Sequence, residues 1–280
     1  MAAYQHPVYL SGCAIYKNEA RYLAEWLEFH RLVGFERFYL YNNASTDEHR
    51  DVLETFVRDG FVDVTDWPIH PAQIQAYDDC LKRAREETRW LAFFDIDEFC
   101  YSPLGRPVPE VLGEYEAHPG LGINIVVFGT SGHVEAPEGP VIENYVRRDN
   151  ESRNLVKSIV DPTRTIGCID PHCFRYMQCI WPQIWAEVNA VDERHRELSR
   201  AWTESTSTEK IRLNHYYFKS ETEAREKFRQ GKADGTGLRA AERLDYMTRS
   251  FTVEDRDIQM YLPSLREALG LDTPSVRTRV

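Results

Sequence analysis

The sequence has no apolar run of the roughly 18–20 residues that a membrane-spanning helix requires. Residues 1–7 show no basic stretch followed by an apolar core, so no signal peptide is predicted. Lys and Arg number 34 against 45 Asp and Glu, a net charge of −11, which argues against a nucleic-acid partner. We therefore expect a cytoplasmic protein that at most associates with a membrane from its periphery.

Glycine-rich phosphate loops are also absent. Neither the dinucleotide fingerprint nor the Walker A loop is present, which argues against a dehydrogenase or an ATPase. Among the 6 cysteines only Cys168, Cys173 and Cys179 cluster, with His172 among them. This spacing lacks the two tight Cys/His pairs of a structural zinc site. We expect buried thiols in a reducing compartment, with zinc as the alternative.

The clearest chemical signal lies in residues 90–99. Residues 90–94 are apolar, as in a short buried strand of a parallel sheet. On an extended strand Asp95 and Asp97 would project to one side and Ile96 to the other. Ligands of open α/β sheets bind outside the carboxyl ends of the strands. Two carboxylates there favour a hard divalent cation, Mg²⁺ or Mn²⁺, over the alternative of solvated turn residues.

Alternating strand and helix patterns precede this stretch. The predicted strands are residues 8–16, 37–41 and 61–66, and the predicted helices are residues 19–33, 48–59 and 73–88. This alternation predicts a right-handed parallel sheet built from βαβ units. Residues 17–19, 42–47 and 95–98 should then converge at one sheet edge, which is the layout of a nucleotide site.

After Pro103 the pattern is less regular. We predict a helix at residues 112–118, strands at residues 122–128, 154–160, 173–176 and 211–218, and a loop at residues 134–140. Residues 129–133 are either a backbone segment that passes close to a ligand or an ordinary turn. Residues 181–207 show no clear period. Ser220 and Glu223 form the capping box of a helix that runs to about Gln230.

Taken in order, motifs spread over residues 8–235 resemble glycosyltransferase family 92 and its bacterial relatives among the family-2-like glycosyltransferases. These motifs are Lys17-Asn18-Glu19, Glu25-Trp26 with His30, residues 43–47, Gln73 with Asp79-Cys80, residues 95–99, residues 128–133, Lys157-Ser158, and Asn214-His215-Tyr216 with Lys219-Ser220. Two positions depart from the pattern, since Asn42 stands where relatives often carry Asp and Thr130 replaces a common Ser.

The resemblance implies a GT-A fold, which is an α/β, Rossmann-like architecture with a mostly parallel central sheet and helices on both faces. It implies metal-dependent, inverting transfer of a sugar, most often galactose, from a UDP-sugar to a saccharide acceptor, as in bacterial polysaccharide biosynthesis. We expect a single domain, residues 1–272, with a nucleotide-binding half (8–100), an acceptor-side half (101–235) and peripheral helices (236–272). Residues 273–280 are expected to be a disordered tail.

The resemblance also implies roles for individual residues. Asp95, Asp97 and His215 would hold Mn²⁺ or Mg²⁺ on the diphosphate. The expected donor-binding residues are Lys17, Asn18, Glu19, Asn43, Asp47, Gln73, Asp79, Asp95, Ile96, Lys157 and Lys219. The general base must lie within hydrogen-bond reach of the acceptor hydroxyl. His133 and Glu138 are the first candidates for it, with Asp161 and Asp170 as alternatives.

Two other functions fit part of the pattern. A nucleotidyltransferase also places an acidic pair at a sheet edge, although no basic, glycine-rich loop is present for a triphosphate. A non-catalytic carbohydrate-binding protein on a transferase fold is the second alternative. The response of thermal stability to UDP, UDP-sugars and nucleoside triphosphates, with and without Mn²⁺, discriminates among the three.

Overall fold

The computed structural model describes residues 6–150, 153–230 and 251–272. An eight-stranded sheet runs through its centre in the order β3-β2-β1-β4-β8-β6-β12-β5. Its strands are β1 (Val8–Tyr16), β2 (Arg37–Asn42), β3 (Val62–Asp66), β4 (Thr88–Phe93), β5 (Glu98–Tyr101), β6 (Gly120–Val127), β8 (Val156–Val160) and β12 (Arg212–His215). The smaller sheets are β7 (Arg147–Arg148) with β13 (Val253–Glu254), and β9 (Thr165–Asp170) with β10 (Cys173–Trp181) and β11 (Ile184–Val188).

Seven α-helices accompany these strands in the described part of the chain. They are α1 (Ala20–Leu32), α2 (His49–Arg58), α3 (Gln73–Ala84), α4 (Val108–Leu112), α5 (Val141–Asn144), α6 (Glu221–Gln230) and α7 (Leu262–Ala268). Short 3₁₀ turns follow α4 at Gly113–Tyr115 and precede α7 at Asp257–Tyr261. None of the described helices is both long and apolar enough to cross a bilayer.

The first half is the predicted βαβ arrangement. β1 pairs in parallel with both β2 and β4, and β2 pairs in parallel with β3. Successive residues of each strand enter opposite cores, because side chains alternate across a sheet. Phe38 of β2 joins the core under α1 and α2, whereas Tyr39 joins the core under α3. Since both of their faces are covered, β1 and β2 are mostly apolar, whereas the edge strand β3 alternates valine with the polar residues Asp63 and Thr65.

The second half completes a mixed sheet, which confirms the α/β fold class. β8 runs antiparallel between β4 and β6, whereas β12 pairs in parallel with β6. Residues 98–101 form β5, antiparallel to β12, a strand that the sequence analysis does not predict. The predicted strand at 211–218 is shorter in the structure and ends at His215. The predicted tail, 273–280, and residues 236–250 of the expected peripheral helices lie outside the described residues.

Three buried side chains of α1 bond to segments outside the first βαβ unit. The indole N–H of Trp26 donates to the carbonyl of Glu98 at 2.7 Å. His30 accepts from the N–H of Cys100 through Nε2, at 3.3 Å, so its proton is on Nδ1, which donates to the Trp26 carbonyl at 2.8 Å. Burial lowers the pKa of His30 to about 3, which keeps the ring neutral. α1 therefore fixes the backbone of β5, the strand that begins at Glu98.

Glu25, the third of these side chains, holds a remote loop. Its two carboxylate oxygens accept from the N–H groups of Val141 and Ile142, at 2.7 and 3.2 Å. These are the first N–H groups of α5, which have no partner within their own helix. Glu25 thus connects the first βαβ unit to the segment that follows residues 134–140.

Replacing Glu25 by Ala should lower the free energy of unfolding by about 2 kcal/mol, because two buried N–H groups lose their acceptor. Urea denaturation measures this change. Glu28→Ala is the matched control, since Glu28 lies one turn along α1 and makes only a 3.6 Å ion pair with Arg31, so its loss should cost less than about 0.5 kcal/mol. Equal stability of the two variants would contradict a structural role for the Glu25 contacts.

Candidate active site

A cavity of about 1070 Å³ opens at the sheet edge where β1, β4, β6 and β12 end. Its lining includes residues from the segments after β1, β2 and β4, from the turn between β9 and β10, and from the start of α6. The polar lining residues are Tyr16, Lys17, Asn18, Glu19, Tyr22, Asn43, His70, Gln73, Asp95, Asp97, Glu98, Arg153, His172, His215, Tyr217, Lys219, Glu223, Glu226 and Lys227. The structure therefore brings the three predicted strand ends together.

Asp95 is held by two side chains from different elements. Its Oδ2 accepts from the ammonium of Lys157 at 2.9 Å, and its Oδ1 accepts from the amide of Gln73 at 3.0 Å. Burial alone would raise the pKa of Asp95, but the Lys157 charge holds it below its ordinary value. Asp95 is therefore ionised and fixed in orientation.

Asp97 pairs with side chains from β12 and α6. Its Oδ1 lies 3.3 Å from Nε2 of His215, and its Oδ2 pairs with the ammonium of Lys227 on α6. Burial opposes ionisation here too, yet the charges of Lys227 and His215 hold the pKa of Asp97 well below its usual range. The carbonyl of Asp97 accepts from the N–H of Tyr216, at 2.8 Å, which joins this residue to the end of β12.

Glu98 is the fully buried member of the acidic group. One of its oxygens accepts from the backbone N–H of Asp95 at 2.9 Å, and the Lys157 ammonium lies 3.3 Å from the same oxygen. Burial raises the pKa of Glu98 to about 7. β4 ends at Phe93, so these local bonds set the directions of Asp95 and Asp97. Asp95 and Asp97 both line the cavity as predicted, but the strand ends before them, and Ile96, which was expected to point away, lines the cavity too.

The loops after β1 and β2 are bonded to each other. The N–H of Asn18 donates to Oγ of Ser45 at 3.0 Å, and the side-chain oxygen of Asn18 accepts from the N–H of Thr46 at 2.8 Å. Asn18 has a positive φ of 56°, a conformation that Asn tolerates better than most residues. Asn43 donates to the carbonyls of Trp67 and Ile69. Asn18 and Asn43, which were both predicted to bind the donor, therefore line the cavity on two loops that are bonded to each other.

Helix α6, which the sequence analysis predicted, forms a wall of the cavity and contributes Lys227, a residue that the analysis missed. Ser220 and Glu223 make the predicted capping box, with the Ser220 hydroxyl donating to Glu223 at 2.6 Å. Glu223 also accepts from the hydroxyl of Tyr22. Lys227, four residues after Glu223, projects into the same cavity. The capping box located the helix, so helical spacing alone would have placed Lys227 on this side.

Lys219 lies where the chain enters α6. Its ammonium sits 3.5 Å from the centre of the Tyr22 ring and 3.4 Å from a carboxylate oxygen of Glu19. Lys17, Lys219 and Lys227 therefore line one cavity together with the acidic pair. Such mixed charge suits a ligand that combines a cation with an anionic group.

Several predicted residues lie outside the cavity lining. Asp47 accepts from the N–H of Ala20 at 2.8 Å and so supports the start of α1. Asp79 accepts from the hydroxyl of Tyr41 at 2.7 Å. Lys157 is buried behind Asp95, at 1% side-chain exposure, and is not among the lining residues. The structure thus gives these three residues supporting contacts rather than positions on the cavity surface.

The two first candidates for the general base are not brought to the cavity either. His133 bonds through Nε2 to the carbonyl of Asn144 at 3.2 Å, and the Glu138 carbonyl accepts from the Asn144 side chain at 2.9 Å. The alternatives are also engaged elsewhere. Asp161 pairs with Arg89 at 3.0 Å, and Asp170 accepts from backbone N–H groups at the β9–β10 turn.

Residues 129–133 form a turn that is bonded to the segment after α5. Ser131 and Gly132 have positive φ values of 52° and 90°. The Ser131 hydroxyl oxygen accepts from the N–H groups of Val146 and Arg147, at 2.8 and 3.0 Å. No residue of this turn is part of the cavity lining. The structure therefore favours an ordinary turn here over a backbone that contacts a ligand.

The side chains of Asp95, Asp97 and His215 are of the chemical types that can bind a divalent cation. No group of three or more His, Cys, Asp or Glu side chains in the described ranges is arranged to hold a metal. A cation such as Mg²⁺ is nevertheless commonly bound by one or two carboxylates, with water and substrate phosphates filling the remaining positions. Asp95 and Asp97 supply that number, and His215 lies beside Asp97. These residues are therefore compatible with a cation that arrives with a phosphate ligand.

Comparison with known proteins agrees with the resemblance. The sequence profile of glycosyltransferase family 92 matches residues 6–232. A family 92 protein of Oryza sativa subsp. japonica is 34% identical over 155 residues, which are 54% of this chain and 26% of that protein. The galactan beta-1,4-galactosyltransferase GALS1 of Arabidopsis thaliana is 31% identical over 127 residues, or 41% of this chain and 25% of that protein. The chain thus spans about a quarter of the length of these curated relatives.

Solved structures give a partial match. The crystal structure of S. aureus TarS 1-349 aligns with a TM-score of 0.39 and 17% identity, over 55% of this chain and 47% of that one. The profile match, in contrast, extends over residues 6–232 of the 280 residues and includes α1, the acidic group and the start of α6. On that match, the chain belongs to glycosyltransferase family 92.

Proposed function

We propose that this protein transfers a hexose, with galactose as the first choice, from a UDP-sugar to a hydroxyl group of a saccharide acceptor. The observation that carries the proposal is the shared cavity of Asp95, Asp97, Lys17, Lys219 and Lys227. Carboxylates beside ammonium groups suit a diphosphate that binds with a divalent cation, because each charge on the ligand then meets an opposite charge. The galactosyltransferase activity of the GALS1 relative supports galactose as the donor sugar.

Different walls of the cavity would bind different parts of the UDP-sugar donor. Asn18 and Asn43, in the bonded loops after β1 and β2, would contact the uridine. Lys17 and Lys219 would bind phosphate oxygens. Gln73 is bonded to Asp95, so its role would be to orient this carboxylate. Lys157 would act in the same way from behind, as a buried countercharge to Asp95 and Glu98.

The proposed cofactor is Mn²⁺ or Mg²⁺, held by Asp95 and Asp97 with His215 as a further ligand. Bound there, the cation would supply Lewis-acid neutralisation of the leaving diphosphate. The protein holds both carboxylates ionised, as the lowered pKa values of Asp95 and Asp97 indicate. Lys227 is paired with Asp97, so we infer that this ammonium would give way if the carboxylate bound a cation together with the donor.

We assign the general base to a cavity carboxylate, in place of His133 and Glu138. Glu223 is engaged by Ser220 and Tyr22, and Glu19 lies 3.4 Å from the ammonium of Lys219. Glu226 is exposed on α6 and also lines the cavity. A base must reach the acceptor oxygen directly or through one water. The exposed carboxylate of Glu226 at the cavity meets this requirement. Glu226 is therefore the first choice and Glu19 the second.

Asp97→Ala should weaken binding of UDP in the presence of Mn²⁺ at least 100-fold by isothermal titration calorimetry, because one of the two cation-binding carboxylates is lost. Asp51→Ala is the control, since Asp51 is exposed on α2 and lies outside the cavity lining. Unchanged affinity in Asp97→Ala would refute the proposed metal site. Tighter binding of a nucleoside triphosphate than of UDP would favour a nucleotidyltransferase, and no nucleotide binding at all would favour a non-catalytic protein.

Glu226→Gln should lower kcat at saturating donor by 100-fold or more, the usual contribution of a general base. His133→Ala and Glu138→Ala should stay within a few fold of the wild-type kcat, since both residues lie outside the cavity lining. Steady-state rates over a range of pH measure the effect. If Glu226→Gln is fully active and Glu19→Gln is not, the base is Glu19. Full activity of both variants would contradict the assignment of the base to either carboxylate.

A separate base implies single displacement, so the anomeric configuration of the donor should be inverted in the product. NMR of the purified product, read from the coupling of the new anomeric proton, measures this directly. A retained configuration would show that the acceptor does not displace UDP in one step, and it would remove the proposed role of Glu226.

A further inference from the structure

The hairpin of β10 and β11 ends in an exposed apolar tip that the proposed activity does not use. Ile180, Trp181, Ile184 and Trp185 are 58%, 69%, 53% and 56% exposed. Two exposed Trp side chains within five residues are unusual on a protein surface, where large apolar groups are normally scattered singly. We call these four residues the hairpin tip.

The hairpin tip is apolar on both faces. Trp181 pairs with Ile184 across the hairpin, and Cys179 pairs with Trp185. Paired residues of antiparallel strands share a face, and adjacent residues lie on opposite faces. The register of β10 shifts between Cys179 and Trp181, so the faces follow from β11, where the adjacent residues Ile184 and Trp185 lie on opposite faces. A flat partner surface would cover only one of these faces, whereas an apolar medium that surrounds the tip covers both.

Charge is absent from the same segment. Residues 176–186 contain no Asp, Glu, Lys or Arg, although charged residues make up 28% of the chain. The nearest charged groups lie at the base of the hairpin, where Arg175 and Glu187 are exposed and Arg164 donates to the side chain of Gln178 at 3.0 Å. An uncharged apolar tip with charged groups behind it matches the depth profile of a bilayer, in which hydrocarbon lies beneath polar headgroups.

The exposed area is too small for a stable protein dimer. An aromatic side chain carries about 150–250 Å², so the hairpin tip presents roughly 400–500 Å². A stable protein interface buries about 800 Å² on each partner. Insertion of a few Trp and Ile side chains into the interfacial region of a membrane requires no such area, since Trp is favoured at that depth.

The tip is also remote from the cavity. Pro171 and His172, just before β10, line the cavity. β10 then runs for 9 residues to Trp181, a distance on the order of 25 Å at the rise of a β-strand. The Trp side chains therefore cannot stack on the sugar that reacts. Docking through the tip would leave the cavity open to a soluble donor.

We propose that the hairpin tip inserts into the interfacial region of a lipid bilayer and so docks the protein on a membrane surface. The proposal does not depend on the identity of the donor or of the general base. Because the contact is apolar and the chain carries a net charge of −11, binding should not require anionic lipid and should resist high salt.

Co-sedimentation of the full chain with phosphatidylcholine vesicles tests the proposal. The wild type should sediment with the vesicles in low and high salt, and Trp181→Ser/Trp185→Ser should bind at least tenfold more weakly. Trp202→Ser is the matched control, because Trp202 is 55% exposed and lies outside the hairpin. Wild-type protein that stays in the supernatant at every lipid concentration, or a double variant that binds as the wild type does, would overturn the proposal.

A second measurement uses the exposed thiol of Cys179, which lies beside the tip. A polarity-sensitive fluorophore attached there should shift to shorter wavelength on addition of the vesicles. The same shift caused by a soluble oligosaccharide without lipid would assign the tip to saccharide binding instead. A concentration-dependent dimer that is lost in the double variant, detected by light scattering, would assign it to a second copy of the chain.

Discussion

The buried ammonium group of Lys157 offsets the cost of burying the carboxylates of the site. Asp95, Asp97 and Glu98 place three carboxylates within four residues, and two of them face Lys157, which is 1% exposed. Without this charge, burial would favour protonation of Asp95. Lys157 comes from β8, and Ile159 of this strand pairs with Ala92 of β4. Lys157, two residues earlier, is therefore level with the segment that follows β4. Because β8 runs antiparallel between β4 and β6, it places the Lys157 charge beside Asp95 and Glu98.

Helix α1 holds in place the backbone segments that surround these carboxylates. Trp26 and His30 fix the backbone at Glu98 and Cys100, and Glu25 fixes the first N–H groups of α5. These residues belong to one of the motifs on which the family resemblance rests, yet none of the three lines the cavity. Their role is to hold the segments that carry the site. Family-specific residues are therefore not always residues that touch the ligand.

The sequence predicted the first half well because its signals are local. The 2-residue and 3.6-residue periodicities are set by neighbours along the chain, and β1 runs over Val8–Tyr16, the residues predicted for it. β5 was missed because residues 98–101 are a strand only by pairing with β12, more than 100 residues later. The glycine-rich turn at residues 129–133 predicts His133 and Glu138 as the base, because they lie at its end and after it. That turn closes on Val146 and Arg147, a contact that no local pattern encodes.

The two carboxylates of the site differ in how firmly their countercharges are held. Lys157 is enclosed by the sheet and cannot leave Asp95 without disrupting β8, whereas Lys227 is 29% exposed at its place on α6. The Lys227 ammonium also donates to the carbonyl of Tyr217 at 3.1 Å and lies 4.3 Å from the centre of that ring. It therefore keeps favourable contacts of its own beside the acidic pair. Asp97 is consequently the carboxylate whose pairing can change when a charged ligand enters, and α6 is the element through which the cavity can respond.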